Sequence, residues 1–325
     1  MASDAPRPKP ARKKTKQPAR IHSPQDAVCL FESEDEGHHH SVGSGFAWIQ
    51  SRRSPVKNVN EDSAAIIPIN AQSAVFVVAD GVGGHSAGEQ ASRMVVQFLC
   101  ETITAAIAGE QLIRTAILNG LELANQAVLD LRLGAASTAA VVEVCGSVAR
   151  TYHVGDSGIV ICGGRGKLKL QTIAHAPVSY AVEAGILNEE EAMDHKDRHL
   201  VSNVVGSAEM RIEIGPTVNM APRDTLLLAS DGLFDNLYPD EVVEIIRRTP
   251  LTSVAKKICQ ATKARMDGEE QGKPSKADDL SFVLFRQKPT KRKTTAKKKA
   301  NPLLAHLDTY ATEAANPDIL PLRPN

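Results

Sequence analysis

The chain has 325 residues, 42% of them hydrophobic, with 38 Lys and Arg balancing 38 Asp and Glu and five cysteines. That much apolar material builds one large core or two ordinary ones, which excludes a wholly unstructured chain. The cysteines are scattered without C-x-x-C spacing, so they read as reduced thiols in a cytoplasmic compartment; no stretch approaches the roughly 18 uninterrupted apolar residues of a membrane span, and the first residues lack the apolar core of a secretory signal.

In chain order, residues 1–42 read as a disordered basic tail and polar linker. Met1 to about Arg20 is mostly Lys, Arg, Pro and Ala, which cannot repay the entropy of ordering. The run His38 to His40 lies in the acidic linker and reads as a solvated loop that could hold a stray metal ion. A globular region is expected over residues 43–287. Strand-length apolar runs open it at Phe46 to Ile49, Ala64 to Ile67 and Ala74 to Ala79. Two helices follow, with Val95, Leu99, Ile103 and Ile107 four apart and Ile113, Ile117, Leu121, Ala124, Val128 and Leu131 three or four apart. Strands return at Thr138 to Val144, Val148 to Val154, Gly158 to Cys162 and Leu168 to Ile173, joined by Gly-containing turns suited to antiparallel neighbours. A helix-prone polar excursion spans about Val178 to Val205. Strands at Arg211 to Ile214 and Thr225 to Ala229, helices at Glu241 to Arg248 and Ser253 to Met266, and a last strand at Leu280 to Arg286 complete an α+β pattern of blocks. Residues 288–325 read as a basic, Pro-containing tail.

Carboxylates stand at the borders of the apolar strands: VFVVADG ends at Asp80, TYHVGDSG places Asp156, TLLLASDG ends at Asp231, and KADDLSFV carries Asp278 and Asp279. Asn60, Glu61 and Asp62 precede another strand. Such a set supplies oxygen ligands for two hard cations and no Cys/His set of zinc spacing, so magnesium or manganese is the implied metal. Two such cations can lower the pKa of a bridging water and hold it in line with a phosphorus, with no protein nucleophile required. The glycines after Asp80 and Asp231 let the backbone turn sharply and bring a carbonyl close.

NVNEDSAAI, ADGVGGHSAGEQAS, STAAVVEV, YHVGDSG, ASDGLFDNL and ADDLSFV, in this order, resemble the successive motifs of the metal-dependent protein phosphatases of the type 2C family, especially its bacterial branch. The resemblance covers about residues 43 to 286. It implies an α-β-β-α sandwich, two antiparallel sheets flanked by helices, with a binuclear centre at one end. By the same likeness Asp80 bridges both ions, Asp231 and Asp278 complete one of them, the Gly81 carbonyl contacts the other, and Glu61 acts through water. Asp156 with Asp231 matches a weaker third-metal site, and Asp279 takes a structural role. The segment of about 178–205 resembles a flap beside the active site. Implied substrates are phosphoserine and phosphothreonine proteins, and the implied partner is a Ser/Thr kinase that the enzyme opposes.

The chain departs from the family pattern at three positions. Lys57 stands where an Arg clamps the substrate phosphate, and Lys supplies charge without a bidentate fork, so weaker phosphate affinity is expected. Val82 replaces a His assigned as general acid in eukaryotic members, and His85 is left out of the catalytic set. Gly158 replaces an Arg after the GDS triplet, which should loosen local ion pairing. Other readings are a phosphatase for an anti-sigma-factor antagonist, a non-catalytic phosphoprotein-binding scaffold, or basic tails that hold nucleic acid or an anionic surface.

Overall fold

The computed structural model describes residues 27–34, 36–82 and 86–288. In chain order these contain β1 (Val28–Leu30), β2 (His38–Val42), β3 (Gly45–Arg52), β4 (Ser63–Asn70), β5 (Ser73–Ala79), β6 (Gly81–Val82), α1 (Ser86–Ala108) and α2 (Ile113–Leu131). Then come β7 (Ala136–Ser137), β8 (Ala139–Cys145), β9 (Val148–Val154), β10 (Gly158–Cys162), β11 (Leu168–Gln171), α3 (Pro177–Glu183) and α4 (Glu189–Met193). The last elements are β12 (Glu213–Asn219), β13 (Thr225–Ala229), α5 (Asp231–Phe234), α6 (Pro239–Ile246), α7 (Leu251–Met266) and β14 (Leu280–Gln287).

Alternation along the strands builds two six-stranded antiparallel sheets, ordered β1-β4-β5-β8-β9-β12 and β11-β10-β13-β14-β3-β2. Successive side chains of a strand point to opposite faces, so a strand buried on both faces needs apolar residues throughout. In β5 all seven residues are buried, and they divide cleanly. Ala74, Phe76 and Val78 face the second sheet and meet Val283 and Phe285 of β14, the two Phe rings 5.0 Å apart. Val75, Val77 and Ala79 face outward under Val95, Leu99 and Ile103 of α1 and Ile117 and Leu121 of α2. On the far side, Leu227, Phe282 and Leu284 pack beneath Ile246 of α6 and Val254 and Ile258 of α7. The result is four layers, α-β-β-α, each large apolar side chain stabilising the fold by about 1.5–3 kcal/mol when fully buried. α1 is long and apolar enough to cross a membrane by length and composition, yet its apolar face lies against the sheet and α2.

Several expectations need correction. The linker before residue 43 contributes β1, which pairs with β4, and β2, which pairs with β3, so both sheets begin earlier than the expected boundary. His38, His39 and His40 are not a loop but three successive residues of β2; His38 pairs with Glu34 and His39 stacks on Phe46. The strand expected at Arg211 to Ile214 runs instead from Glu213 to Asn219, with a register shift between Ile214 and Thr217 that absorbs Gly215 and Pro216. Cys29 and Cys100, far apart in sequence, bring their sulfurs to 3.5 Å between β1 and α1. The basic stretches of both tails and His85 lie outside the described residues.

Candidate metal centre

Antiparallel register explains why distant carboxylates meet. Ser63 at the start of β4 pairs with Ala79 at the end of β5, Ala139 pairs with Val154 at the end of β9, and Ala229 at the end of β13 pairs with both Gly158 and Phe282. Glu61, Asp62, Asp80, Asp156, Asp231 and Asp278, each just beyond one of these ends, therefore share one end of the sandwich. Asp80 feels the charges of Asp62, Asp231, Asp156 and Asp278 together.

Hydrogen bonds hold Asp62, Asp279 and the backbone at Asp80. The Asp80 N–H donates to Thr138 Oγ1 at 3.0 Å, while its carbonyl accepts from the Thr138 N–H at 2.8 Å and from Ser137 Oγ at 2.9 Å. Ser230 Oγ donates to Asp62 Oδ2 at 2.8 Å. Asp279, 2% exposed, accepts from the N–H groups of Ser54 at 2.7 Å and Glu61 at 2.9 Å, and so ties the loop that carries Lys57 and Glu61 to β14.

The glycines act mainly through close packing. A Cβ on Gly88 would stand 2.6 Å from Glu61 Oε1 and 2.9 Å from the Gly81 carbonyl oxygen, so the bare backbone lets those two oxygens converge. A Cβ on Gly232 would fall 1.8 Å from the Asp279 carbonyl oxygen. At Gly158, where loosened ion pairing was expected, the Phe234 ring packs against the bare backbone, and a Cβ would meet it at 2.5 Å.

The electrostatics mark the cluster as short of positive charge. Burial first, then neighbouring carboxylates, pushes Asp80 and Asp62 well above the usual carboxylate range, and raises Asp156 to about 7. Asp235 is raised by burial and by Asp231. Burial opposes ionisation of Asp278 as well, but the Lys57 hydrogen bond and the charges of Lys276 and Lys57 hold it below its ordinary value. Lys57 Nζ lies 2.6 Å from Asp278 Oδ1, 3.0 Å from Glu61 Oε2 and 3.4 Å from Asp279 Oδ2. Lys276 Nζ lies 2.5 Å from Asp231 Oδ2, 2.7 Å from Asp235 Oδ2 and 3.2 Å from Asp278 Oδ2.

Glu61 Oε1, Asp62 Oδ1 and Asp231 Oδ1 are buried without a donor. Unpaired buried carboxylate oxygens are costly, and a hard divalent cation is the ligand such a donor set fits. Asp235 and Lys276 also join the centre, although neither occupies a strand border, the feature that marks the other carboxylates in the sequence. Beside the carboxylates, a cavity of about 400 Å³ runs between Asp156, Asp231 and Asp235 and the α3–α4 segment, with Val178, Val182 and Met193 among its walls. Within the segment read as a flap, at about 178–205, α3 and α4 contribute residues to the cavity lining.

A second group, His153, His175 and Glu213, also lies close together. His175 Nδ1 accepts from the Gly155 N–H at 3.0 Å and from Asn203 Nδ2 at 2.9 Å, so its Nε2 carries the proton and faces Glu213 at 3.1 Å. A ring so fixed has no lone pair at Nε2 for a metal.

The family described as Protein phosphatase 2C matches residues 50–267. The serine/threonine phosphatase stp of Listeria monocytogenes is 28% identical over 257 residues, covering 76% of this chain and 97% of the relative. The S. agalactiae serine/threonine phosphatase superposes with a TM-score of 0.63 at 25% identity, covering 74% of this chain and 98% of that one. The catalytic domain of the phosphatase PstP, solved in complex with 2 manganese ions, gives a TM-score of 0.58 at 24% identity over 74% of this chain and 97% of its own.

Proposed function

The chain belongs to the protein phosphatase 2C family of metal-dependent protein serine/threonine phosphatases, and from that premise we propose how its own residues divide the work. The observation that carries the reading is the set of buried, donorless carboxylate oxygens gathered at one end of the sandwich. Asp80, Asp231, Asp278 and the Gly81 carbonyl would hold the divalent ions directly, and Glu61 would hold them through water. The hard oxygen donors suit manganese or magnesium. When bound, such ions activate a water for attack on phosphorus and neutralise the phosphoryl oxygens.

The protein supplies position and charge. Asp279 holds the Lys57 loop against β14, which places the Lys57 ammonium at the rim, one-third exposed, where it can meet a phosphate. Ser230, Thr138 and Ser137 fix the Asp62 carboxylate and the Asp80 backbone before any substrate arrives, the preorganisation that electrostatic catalysis requires. α3 and α4 wall the cavity through which a phosphorylated segment would approach. Substrates are phosphoproteins, and the enzyme opposes a Ser/Thr kinase in the cytoplasm. The scaffold reading is not favoured, since all three expected ligand carboxylates are present.

Asp80→Asn tests the reading on a phosphothreonine peptide with millimolar Mn²⁺. Turnover should fall by at least about 10³-fold, the scale of losing a central electrostatic contact. Equal turnover in the two proteins, or wild-type turnover that survives chelation, would sink it.

A further inference from the structure

Lys276 is placed like a ligand rather than like a surface lysine. Its backbone is clamped on both sides by one buried side chain: the Lys276 N–H donates to Asn236 Oδ1 at 2.9 Å, and its carbonyl accepts from Asn236 Nδ2 at 2.9 Å. Asn236 is fully buried and also donates to the Gly232 carbonyl, one residue after Asp231. The root of Lys276 is therefore tied to the same turn that presents Asp231. An ammonium has three donors, and here three carboxylates take them: Asp231, Asp235 and Asp278, at 2.5, 2.7 and 3.2 Å. The side chain is only one-quarter exposed. Asp156 lies within reach of the charges of Asp231, Asp235 and Lys276 alike. Lys57 differs: its ammonium sits on the opposite oxygen of Asp278 and no such clamp holds its backbone to the carboxylate turn.

We propose that Lys276 is a tethered cation that fills the outer position of this centre, between Asp231, Asp235 and Asp156, and so limits the site to two divalent ions. The family resemblance assigns that outer position to a weakly held third ion on Asp156 and Asp231. In this chain an ammonium, a compact point charge on a flexible stem, is already bonded to Asp231 there. Two of the three donor carboxylates, Asp231 and Asp235, each commit an oxygen to Lys276 that a third ion would have to win back. The inference rests on the reading of this centre as a divalent-metal site.

The test counts metal ions. Wild type, Lys276→Gln, Lys276→Arg, Asp156→Asn and the double variant Lys276→Gln/Asp156→Asn are equilibrated by dialysis against Mn²⁺ at a series of concentrations up to about a millimolar, and bound manganese per chain is measured by mass spectrometry. Wild type and Lys276→Arg should saturate at two ions. Lys276→Gln should gain one, or tighten its weakest site at least tenfold, and the double variant should lose that gain. Asp156→Asn in the wild-type background should leave the count at two, an outcome independent of how well the Lys276 variants fold. Identical isotherms for wild type and Lys276→Gln, or loss of one ion in Asp156→Asn, would overturn the proposal. A wild type that binds no manganese would instead overturn the metal reading itself.

Discussion

Asp278 is held from both sides, with Lys57 on Oδ1 and Lys276 on Oδ2. The two ammonium groups have different roots and so different uses. Lys57 hangs from a loop that Asp279 ties through Ser54 and Glu61, on either side of it, whereas the Lys276 backbone itself is pinned by Asn236. If Lys57 meets the substrate phosphate, replacing its point charge with a guanidinium fork should tighten binding. Lys57→Arg is expected to lower KM for a phosphothreonine peptide by about three- to tenfold, up to about 1.4 kcal/mol, with kcat little changed. An unchanged or higher KM would place Lys57 among the structural counter-charges instead. The bordering carboxylates Asp80, Asp156, Asp231 and Asp278 were legible in the sequence because each follows or precedes an apolar run. Asp235 and Lys276 were not, since their approach depends on the one-turn helix α5 and on the Asn236 clamp, which no periodicity announces.

Elements of two to five residues carry much of the site's geometry. β6 and β7, two residues each, pair Gly81 with Ser137 and so fix the chain immediately after Asp80. α5 is four residues long and turns the backbone at Asp231 so that Gly232 can touch β14. Windows of apolar periodicity need more length than this to register, which is why the long helices and central strands could be read from the sequence while β1, β2, β6, β7 and α5 could not. The polar run HHHSV passes for a loop because only Val42 of β2 is buried. The close approach at Gly232 gives a direct test. Gly232→Ala would force a methyl into the Asp279 carbonyl and should cost about 3 kcal/mol by urea denaturation. Gly163→Ala, where a Cβ would meet nothing nearer than 3.5 Å, should stay within about 0.5 kcal/mol. Similar losses in the two variants would mean that the Gly232 contact relaxes freely.

For the whole molecule, the acidic end makes stability depend on pH and metal together. Asp156 at about 7, with Asp80 and Asp62 also raised, binds protons in the folded chain that the unfolded chain has released. Stability of the metal-free protein should therefore fall as pH rises from about 4 towards 7, by up to about 1.4 kcal/mol per pH unit for each such group. Asp278, held low by its lysines, contributes in the opposite sense, and its part is lost only as pH falls below that window. Divalent ions bind the deprotonated carboxylates, so Mn²⁺ should raise Tm more at pH 7.5 than at pH 5. Thermal melts in EDTA and in Mn²⁺ across that range check both signs; a metal-free Tm that climbs from pH 5 to 7.5 would contradict the charge shortage inferred for the centre.

β14 is the last described strand in the chain, yet it lies between β13 and β3 in the interior of its sheet, where Leu280 pairs with Arg52, 228 residues away. Contacts of such sequence separation close late and slowly. During synthesis, the β4–β5 hairpin, α1 and α2 can begin to associate while the second sheet still lacks its interior strand. Asp278 and Asp279 arrive with that strand. A chain halted before it would carry Asp80 and Asp231 but neither the carboxylate between the two lysines nor the tie that holds the Lys57 loop, so on the proposed reading an unfinished copy is unarmed until the last strand is inserted.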